Sequence, residues 1–287
     1  MQQNSYRFQL LAPAEAGIRA TSLHCIGNSE LYEKYLGSMQ RLRGRVYLKD
    51  TAIQPWDLDS TGRHRMDDDT RCWHLLLVDS SDEVVGCARY LLHPPNVLFE
   101  NLRLRHAPLA THPFWGKRLR KAIEADLKLA REAQLGYAEL GGWAIAEQYR
   151  NTRAALEILL GSYAWGQLIG NCICCCTATV RNRSSSILRR IGGMSLVSDG
   201  EPLPPYDDPQ YGCVMEVLRF DSQSLDPRFR PLVNELQAQL RHTESISRVA
   251  GESQCDELSF SESLAALNAA LKPNPVLELN RSAFEKV

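Results

Sequence analysis

The stretch that decides the fold runs from Tyr137 to Gly193. It contains YAELGGWAI (137–145), a turn with Gln148, Tyr149, Arg150 and Asn151, then TRAALEILLGSYAWGQLIG (152–170), CICCCTATV (172–180) and RNRSSSILRRIGG (181–193). The spacing of the apolar residues predicts strand, helix, strand and helix in that order, with the second helix beginning near Asn182. This order predicts two neighbouring strands joined by a helix.

A helix that begins directly after a strand presents free backbone amides, which favour an anion. Here Arg150 and Arg153 add positive charge to that helix start. Such a cradle suits a thioester carried on a pyrophosphate-linked or phosphopantetheine group. The stretch therefore predicts acyl transfer.

The segments on either side extend the predicted sheet. Strands are expected at 6–12, 72–78, 83–92 and 212–220, and helices at 30–48 and 115–135, while RVYL (45–48) could be helix or strand and EPLPPYDDPQY (201–211) reads as a rigid loop. The DSSD between the second and third strands indicates a hairpin. The predicted class is α/β (α+β), with a mixed, partly parallel central sheet flanked by helices.

The character of the chain changes after residue 221. We expect one domain over residues 1–221 and a helical C-terminal extension over 222–287. Within the extension the pattern predicts a helix over 227–242, a polar linker near 243–257 and a short last helix over 259–272. Neither the role of this extension nor the oligomeric state follows from the sequence.

Composition excludes several classes of protein. The 287 residues are 44% hydrophobic and 23% charged, with a net charge of -1. A protein that binds nucleic acid or an anionic membrane surface usually has a clear basic excess. The chain shows neither an apolar run long enough to span a membrane nor a secretory leader, so the cytoplasm is the expected compartment.

Four of the nine cysteines, Cys172, Cys174, Cys175 and Cys176, fall in one predicted strand. A strand is too extended for these thiols to close a tetrahedral metal site unaided, and there are no CxxC pairs at zinc spacing. No histidine or turn marks a nucleophilic cysteine. We therefore interpret them as small core residues and expect no metal.

Three segments together resemble a known family. They are Arg43-Gly44-Arg45-Val46-Tyr47 with Trp56 and Asp57 downstream, Gly86-Cys87-Ala88-Arg89-Tyr90-Leu91-Leu92-His93-Pro94, and Glu139-Leu140-Gly141-Gly142-Trp143-Ala144-Ile145. Their order resembles the GNAT superfamily of acyl-thioester-dependent transferases. Within it, the chain is most similar to the acyl-homoserine-lactone (autoinducer) synthases and the N-acyl amino acid synthases.

The sequence also departs from that pattern. Gly141-Gly142 stands where the family has Ser-Arg, and the turn places Arg153 and Ala155 at its two usual glycine positions. Leu188 replaces the tyrosine of many acetyltransferases. These differences disfavour acetyl-coenzyme A and favour a long-chain or carrier-linked acyl thioester.

The resemblance implies roles for several residues. Glu139 is the expected base, although a strand glutamate in an ion pair is the alternative. The backbone at Ala144 and Ile145 would stabilise the oxyanion. The phosphopantetheine or phosphate contacts are expected from Arg150, Asn151, Arg153 and Ala155.

For the acceptor, the acidic run Asp67, Asp68 and Asp69 could bind an ammonium group or be a solvated loop. Arg89 could hold a carboxylate, or be a buried arginine paired with that loop. Trp56 and Trp143 complete the predicted acceptor set. A basic helix face is a possible docking surface for an acyl carrier protein, and it consists of Lys117, Arg118, Arg120 and Lys121.

The sequence therefore predicts an N-acyltransferase with a small-molecule amine acceptor. Its co-substrate would be an acyl-CoA or an acyl carrier protein thioester, attacked directly because no activated nucleophile is evident. Two alternatives stay open: a short-chain acetyl-CoA-dependent N-acetyltransferase, and a catalytically silent binding module of the same fold. Acyl length and acceptor identity do not follow from the sequence.

Overall fold

The computed structural model describes residues 5–14, 25–181 and 183–248. Its helices are α1 (Ser29–Lys49), α2 (Pro108–Thr111), α3 (Trp115–Glu132), α4 (Arg153–Leu168), α5 (Ser184–Arg190) and α6 (Arg230–Arg241). Its strands are β1 (Tyr6–Leu11), β2 (Cys25–Gly27), β3 (Trp73–Asp79), β4 (Val84–His93), β5 (Gly136–Ile145), β6 (Cys172–Thr179), β7 (Met194–Ser195), β8 (Val197–Ser198), β9 (Glu201–Pro202), β10 (Tyr206–Asp208), β11 (Cys213–Asp221) and β12 (Ser245–Ser247).

Ten of these strands form one mixed sheet. Its order is β10-β11-β6-β5-β4-β3-β1-β12-β2, and β7 pairs beside β11. The pairs β1–β3, β3–β4 and β4–β5 are antiparallel, whereas β5 and β6 are parallel. The predicted partly parallel sheet with flanking helices is confirmed.

Helices cover both faces of the sheet. The core on one face contains apolar residues of α4 and α6, and the opposite face is covered by α1 over β1, β3 and β4 and by α3 over β5, β6 and β11. Alternation along β6 points Cys172, Cys174 and Cys176 towards α4, while Ile173 and Cys175 face α3. These cysteines are buried core residues with free thiols.

Two segments differ from the sequence prediction. The predicted loop 201–211 contains an edge strand, β10, which pairs antiparallel with β11. Residues 245–247 were expected in a polar linker, yet β12 lies inside the sheet, parallel to both β1 and β2. A three-residue segment with one apolar side chain carries too little pattern to be detected, because its stability comes from backbone pairing on both sides.

Helix α6 packs on the domain that precedes it. Val233, Leu236 and Leu240 lie one or two turns apart and enter the same core as α4. Residues 222–248 therefore belong to the packed body of the protein. The predicted helix over 259–272 and the rest of the predicted linker lie outside the described residues.

Two further observations concern the described part of the chain. It contains no helix that is both long and apolar enough to cross a membrane. It also contains no group of three or more His, Cys, Asp or Glu placed to hold a metal ion.

Candidate functional site

The sheet opens between its two parallel strands. Backbone pairing of β5 with β6 runs from Gly136–Cys172 to Glu139–Cys175 and then stops, although β5 continues to Ile145 and β6 to Thr179. A cavity of about 280 Å³ lies at this separation. It is lined by Glu139–Trp143 of β5 and by Cys174–Thr179 of β6.

A bulge in β5 shapes one wall of the cavity. Gly142 and Trp143 lie opposite the single residue Ala88, because the β4–β5 register shifts between Cys87 and Arg89. Gly142 has φ +63°, a conformation that favours glycine.

Because Gly141 and Gly142 have no side chains, they also leave space for arginine side chains from other segments. A Cβ at Gly141 would lie 3.0 Å from Nη2 of Arg89, and one at Gly142 would lie 3.7 Å from Nη1 of Arg43. Guanidinium groups from α1 and β4 thus lie beside Gly141 and Gly142.

The cavity has one apolar and one polar half. Towards α4, its lining is mostly apolar and comes from Leu159, Tyr163, Leu188, Ile191 and Phe220. Towards α3, the lining is polar and includes Arg103, Glu139, Tyr206, Asp208 and Tyr211. A ligand that passes between β5 and β6 would therefore meet both environments.

Glu139 lies at the last β5–β6 pair and lines the cavity. Its carboxylate is buried and engages three donors: Nε2 of His93 at 2.9 Å, the Arg103 amide at 2.8 Å and the Leu104 amide at 2.8 Å. The two amides open a short 3-10 helix, Arg103–His106, whose start favours an anion. Glu139 thereby fixes the position of Arg103.

The acidic run is mostly buried in ion pairs. Asp69 forms a bidentate ion pair with Arg43, with distances of 2.8 and 2.6 Å, and also accepts a hydrogen bond from the Gln40 side-chain amide. Asp68 contacts Arg89 at 2.8 Å and Arg103 at 2.9 Å. Arg89 is thus the buried arginine paired with the acidic loop, one of the two alternatives that the sequence left open, and it also lines the cavity.

His74 is buried beside this network. Its Nε2 lies 2.7 Å from the carbonyl oxygen of Asp69, and burial lowers the pKa of His74 to about 4 despite the opposing effect of the Asp69 charge. The imidazole is therefore neutral in the folded protein at neutral pH, and Nε2 donates to the carbonyl.

We expect acid to destabilise the protein through His74. The unfolded chain binds a proton near pH 6.5, whereas the folded chain resists it until about pH 4. Stability is therefore full above pH 6.5 and falls by about 3 kcal/mol as the pH drops to 4. Urea unfolding over this range would measure it. His74→Gln keeps a donor for the carbonyl and should flatten the profile, whereas exposed His242→Gln should not; an unchanged slope in His74→Gln would contradict this assignment.

The turn before α4 differs from the glycine-rich form. Asn151 takes the left-handed conformation with φ 60°, which asparagine tolerates better than most residues. Thr152 donates its hydroxyl to the Tyr149 carbonyl at 2.7 Å, so α4 has no side-chain cap. The Ala155 amide donates to the Thr152 carbonyl at 3.3 Å, and the amides of Arg153 and Ala154 stay available to a ligand.

Both arginines of this turn are held by carboxylates. Arg150 contacts Asp50 at 3.0 Å, and Asp50 lines the cavity. Arg153 pairs with Glu157 at 2.5 Å and with Glu235 of α6 at 2.8 Å. Neither arginine, nor Asn151 or Ala155, is among the cavity-lining residues in the described part of the chain.

The other predicted site residues are divided. Trp143 lines the cavity, and its buried Nε1 has no partner within the described residues. Ala144 and Ile145 are buried in the sheet just beyond the lining. Trp56 is 79% exposed, Asp67 is exposed and Asp69 is buried, and none of these three lines the cavity among the residues described.

The predicted docking surface is largely neutralised by the chain itself. Arg118 pairs with Glu201, Arg120 with Glu100 and Lys121 with Asp199. Of the four basic residues, only Lys117 has no ion pair within the described ranges.

Sequence reasoning missed the residues that contribute most to the polar half. Arg103 lies in a proline-spotted segment that carries no helical or strand period, and Asp208 lies in the segment interpreted as a loop. The segment YDDPQY (206–211) did contain a strand signal. Its residues Tyr206 and Asp208 alternate with the exposed Asp207, as in a half-buried strand.

Comparison with known proteins identifies the class. Residues 42–160 match the family model described as the acetyltransferase (GNAT) domain. This segment therefore matches a GNAT domain, and the acyltransferase class that the sequence resemblance predicted is supported. No curated protein sequence matches the chain.

Several solved structures are similar to the chain over most of its length. A CoA-dependent acyl-homoserine lactone synthase, BjaI with SAM and isopentyl-CoA, has 12% identity and a TM-score of 0.49, covering 85% of this chain and 94% of that one. FeeM, an N-acyl amino acid synthase from uncultured soil microbes, has 9% identity and a TM-score of 0.45 over 77% and 92%. The AHL synthase LasI has 13% identity and a TM-score of 0.45 over 76% and 91%.

Proposed function

We propose that the protein is an N-acyltransferase that moves an acyl group from a thioester onto the amine of an amino acid or a related metabolite. The observation that carries this proposal is the separation of β5 from β6 beyond Glu139 and Cys175, with the cavity between them. A thioester arm placed there can pair with strand edges that have lost their partner. The thioester carbonyl would then lie between the apolar and polar halves of the cavity.

The geometry of Ile145 supports an oxyanion role for its amide. Ala146 donates its amide to the Val85 carbonyl of β4 at 2.8 Å, and Ile145, the last residue of β5, directly precedes it. Alternate amides of an antiparallel pair point to opposite sides, so the Ile145 amide is directed away from β4, towards the opening. A donor there would stabilise the tetrahedral intermediate.

The cavity favours an acyl group longer than acetyl. Its lining on β6 extends from Cys174 to Thr179, about 17 Å at ~3.3 Å per residue. The α4 side of this span is apolar, and the free amides at the start of α4 suit the phosphate end of the donor. We propose acyl-CoA or an acyl carrier protein as the donor, and the cytoplasm as the compartment.

Product analysis tests this function. The purified protein would be incubated with acetyl-, octanoyl- or tetradecanoyl-CoA, or with the same acyl groups on a carrier protein, and with a mixture of the common amino acids. Mass spectrometry should then detect N-acyl amino acids from the longer donors and release of free thiol. Product from acetyl-CoA alone would establish a short-chain acetyltransferase, and donor binding without any product would establish a silent binding module.

Glu139→Gln separates two roles for this residue. Because the carboxylate already engages three donors, we expect it to act by positioning Arg103. The variant should lose about 1–3 kcal/mol of stability and raise the KM for the acceptor, with kcat changed by less than about tenfold. A fall in kcat of about 100-fold or more at unchanged KM and unchanged melting temperature would instead establish Glu139 as the base.

A further inference from the structure

One carboxylate in the cavity has no ion-pair partner among the described residues. Asp208, at the end of β10, lines the polar half and is 7% exposed. Its Oδ1 accepts from the amides of Gln210 at 2.9 Å and Tyr211 at 3.3 Å, which fix the orientation of the side chain. Within residues 5–14, 25–181 and 183–248, no lysine, arginine or histidine lies at ion-pair distance from it.

The other carboxylates of the same cavity are compensated. Asp50 pairs with Arg150, and Glu139 accepts from His93 and two amides. Asp68, which lies behind Arg89 and Arg103, contacts both guanidinium groups. A buried carboxylate without such a partner is costly, and a cationic ligand would offset that cost.

A second observation points to a ligand at the same place. Tyr206 lies on the same face of β10 as Asp208 and lines the cavity, with 9% of its surface exposed. Its hydroxyl is buried and forms no hydrogen bond within the described residues. A buried hydroxyl without a partner loses the hydrogen bonds that it makes in water, and a polar ligand would restore one.

An arginine provides the opposite charge in the same half. Arg103 lines the cavity, its side chain is 41% exposed, and only Nη1 contacts Asp68. Its remaining guanidinium donors can therefore receive a carboxylate. Tyr211 lies close to both charged groups. Burial raises the pKa of Tyr211, the negative charge of Asp208 raises it further, and the positive charge of Arg103 lowers it.

From these contacts we propose that Asp208 binds the ammonium group of the acceptor, with Tyr206 beside it, and that Arg103 receives the acceptor's carboxylate. The acceptor class is then a zwitterionic amino acid. This inference rests on the proposed acyl transfer and assigns the acceptor's half of the cavity. A carboxylate stabilises the protonated amine, so Asp208 is a binding group and not the base.

Asp208→Asn tests the assignment with little change in shape. The amide oxygen of asparagine can still accept from Gln210 and Tyr211, so the turn should persist. With the amino acid that the wild-type protein acylates, the acceptor KM should rise at least about tenfold, because a charge-assisted hydrogen bond is lost. We expect kcat to change less than about threefold, and the affinity for octanoyl-CoA to stay the same.

Two controls accompany this variant. Asp207→Asn changes the exposed neighbour on the same strand and should leave the acceptor KM unaltered. Asp208→Glu keeps the charge and should recover part of the affinity. An acceptor KM for Asp208→Asn within twofold of the wild type would overturn the assignment.

Binding measured without turnover separates this inference from the proposed function. Each common amino acid would be titrated into the wild-type protein and into Asp208→Asn by calorimetry. If an amino acid binds the wild type and not the variant while no donor gives product, the acceptor site stands and the proposed acyl transfer fails. If no amino acid binds the wild type, or if both proteins bind it equally, the acceptor site is overturned.

Discussion

Arg43→Leu is expected to lower the free energy of unfolding by about 3–5 kcal/mol. Arg43 is fully buried on α1, and Asp69 beside it is 1% exposed. The substitution removes both hydrogen bonds of the Arg43–Asp69 ion pair and the hydrogen bond from Nη2 to the His64 carbonyl. Asp69 would keep Gln40 and the Met66 amide as donors, but its charge would be buried without a cation.

Equilibrium unfolding in urea would measure this loss. Arg45→Leu is the matched control, since Arg45 is exposed on the same helix and should change stability by less than about 0.5 kcal/mol. In the double variant Arg43→Leu with Asp69→Leu, the buried charge is removed as well, and part of the stability should return. A loss below about 1 kcal/mol for Arg43→Leu alone would show that the pair does not hold α1 to the acidic segment.

Thr177→Trp is expected to lower kcat/KM for the acyl thioester by about 100-fold or more. Thr177 lies on β6 two residues beyond the last pair with β5, and its exposed side chain lines the cavity. An indole there would fill the opening between the strands. A loss of this size corresponds to about 2.7 kcal/mol of transition-state stabilisation.

The fold should tolerate this change. Tryptophan is well suited to strands, and Thr177 keeps its backbone pairing with Val217 of β11. Val180→Trp is the matched control, because Val180 is exposed just after β6 and outside the cavity lining. Melting temperatures of both variants should stay near that of the wild type. If Thr177→Trp turned over at the wild-type rate, the donor could not lie between β5 and β6.

Much of the fold could be predicted because its long elements have strong patterns. The strand–helix–strand unit 137–180 matches β5, α4 and β6 to within a few residues, and the hairpin of β3 and β4 follows its turn signal. Short strands such as β10 and β12 could not be found in this way. They contain only three residues each, and neighbouring strands determine where they pair.

The site was predictable only where it lies on those long elements. Glu139, Trp143 and Arg89 line the cavity because β4 and β5 form its wall. Trp56 and Asp67 lie in an irregular segment, and sequence order does not show which of its side chains turn inwards. Asp208 and Arg103 come from parts of the chain about a hundred residues apart, so only the folded sheet brings them to one cavity.

The position of β12 has a consequence for the order in which the protein folds. β2 is bonded to the rest of the sheet through β12, and residues 25–27 pair with residues 245–247. During synthesis this edge cannot form until residue 247 has left the ribosome, although β3 to β6 can already pair. Contacts between residues so far apart in the sequence form slowly, because the intervening chain must first be ordered. We therefore expect the half of the sheet that holds the cavity to form first and its N-terminal edge to form last.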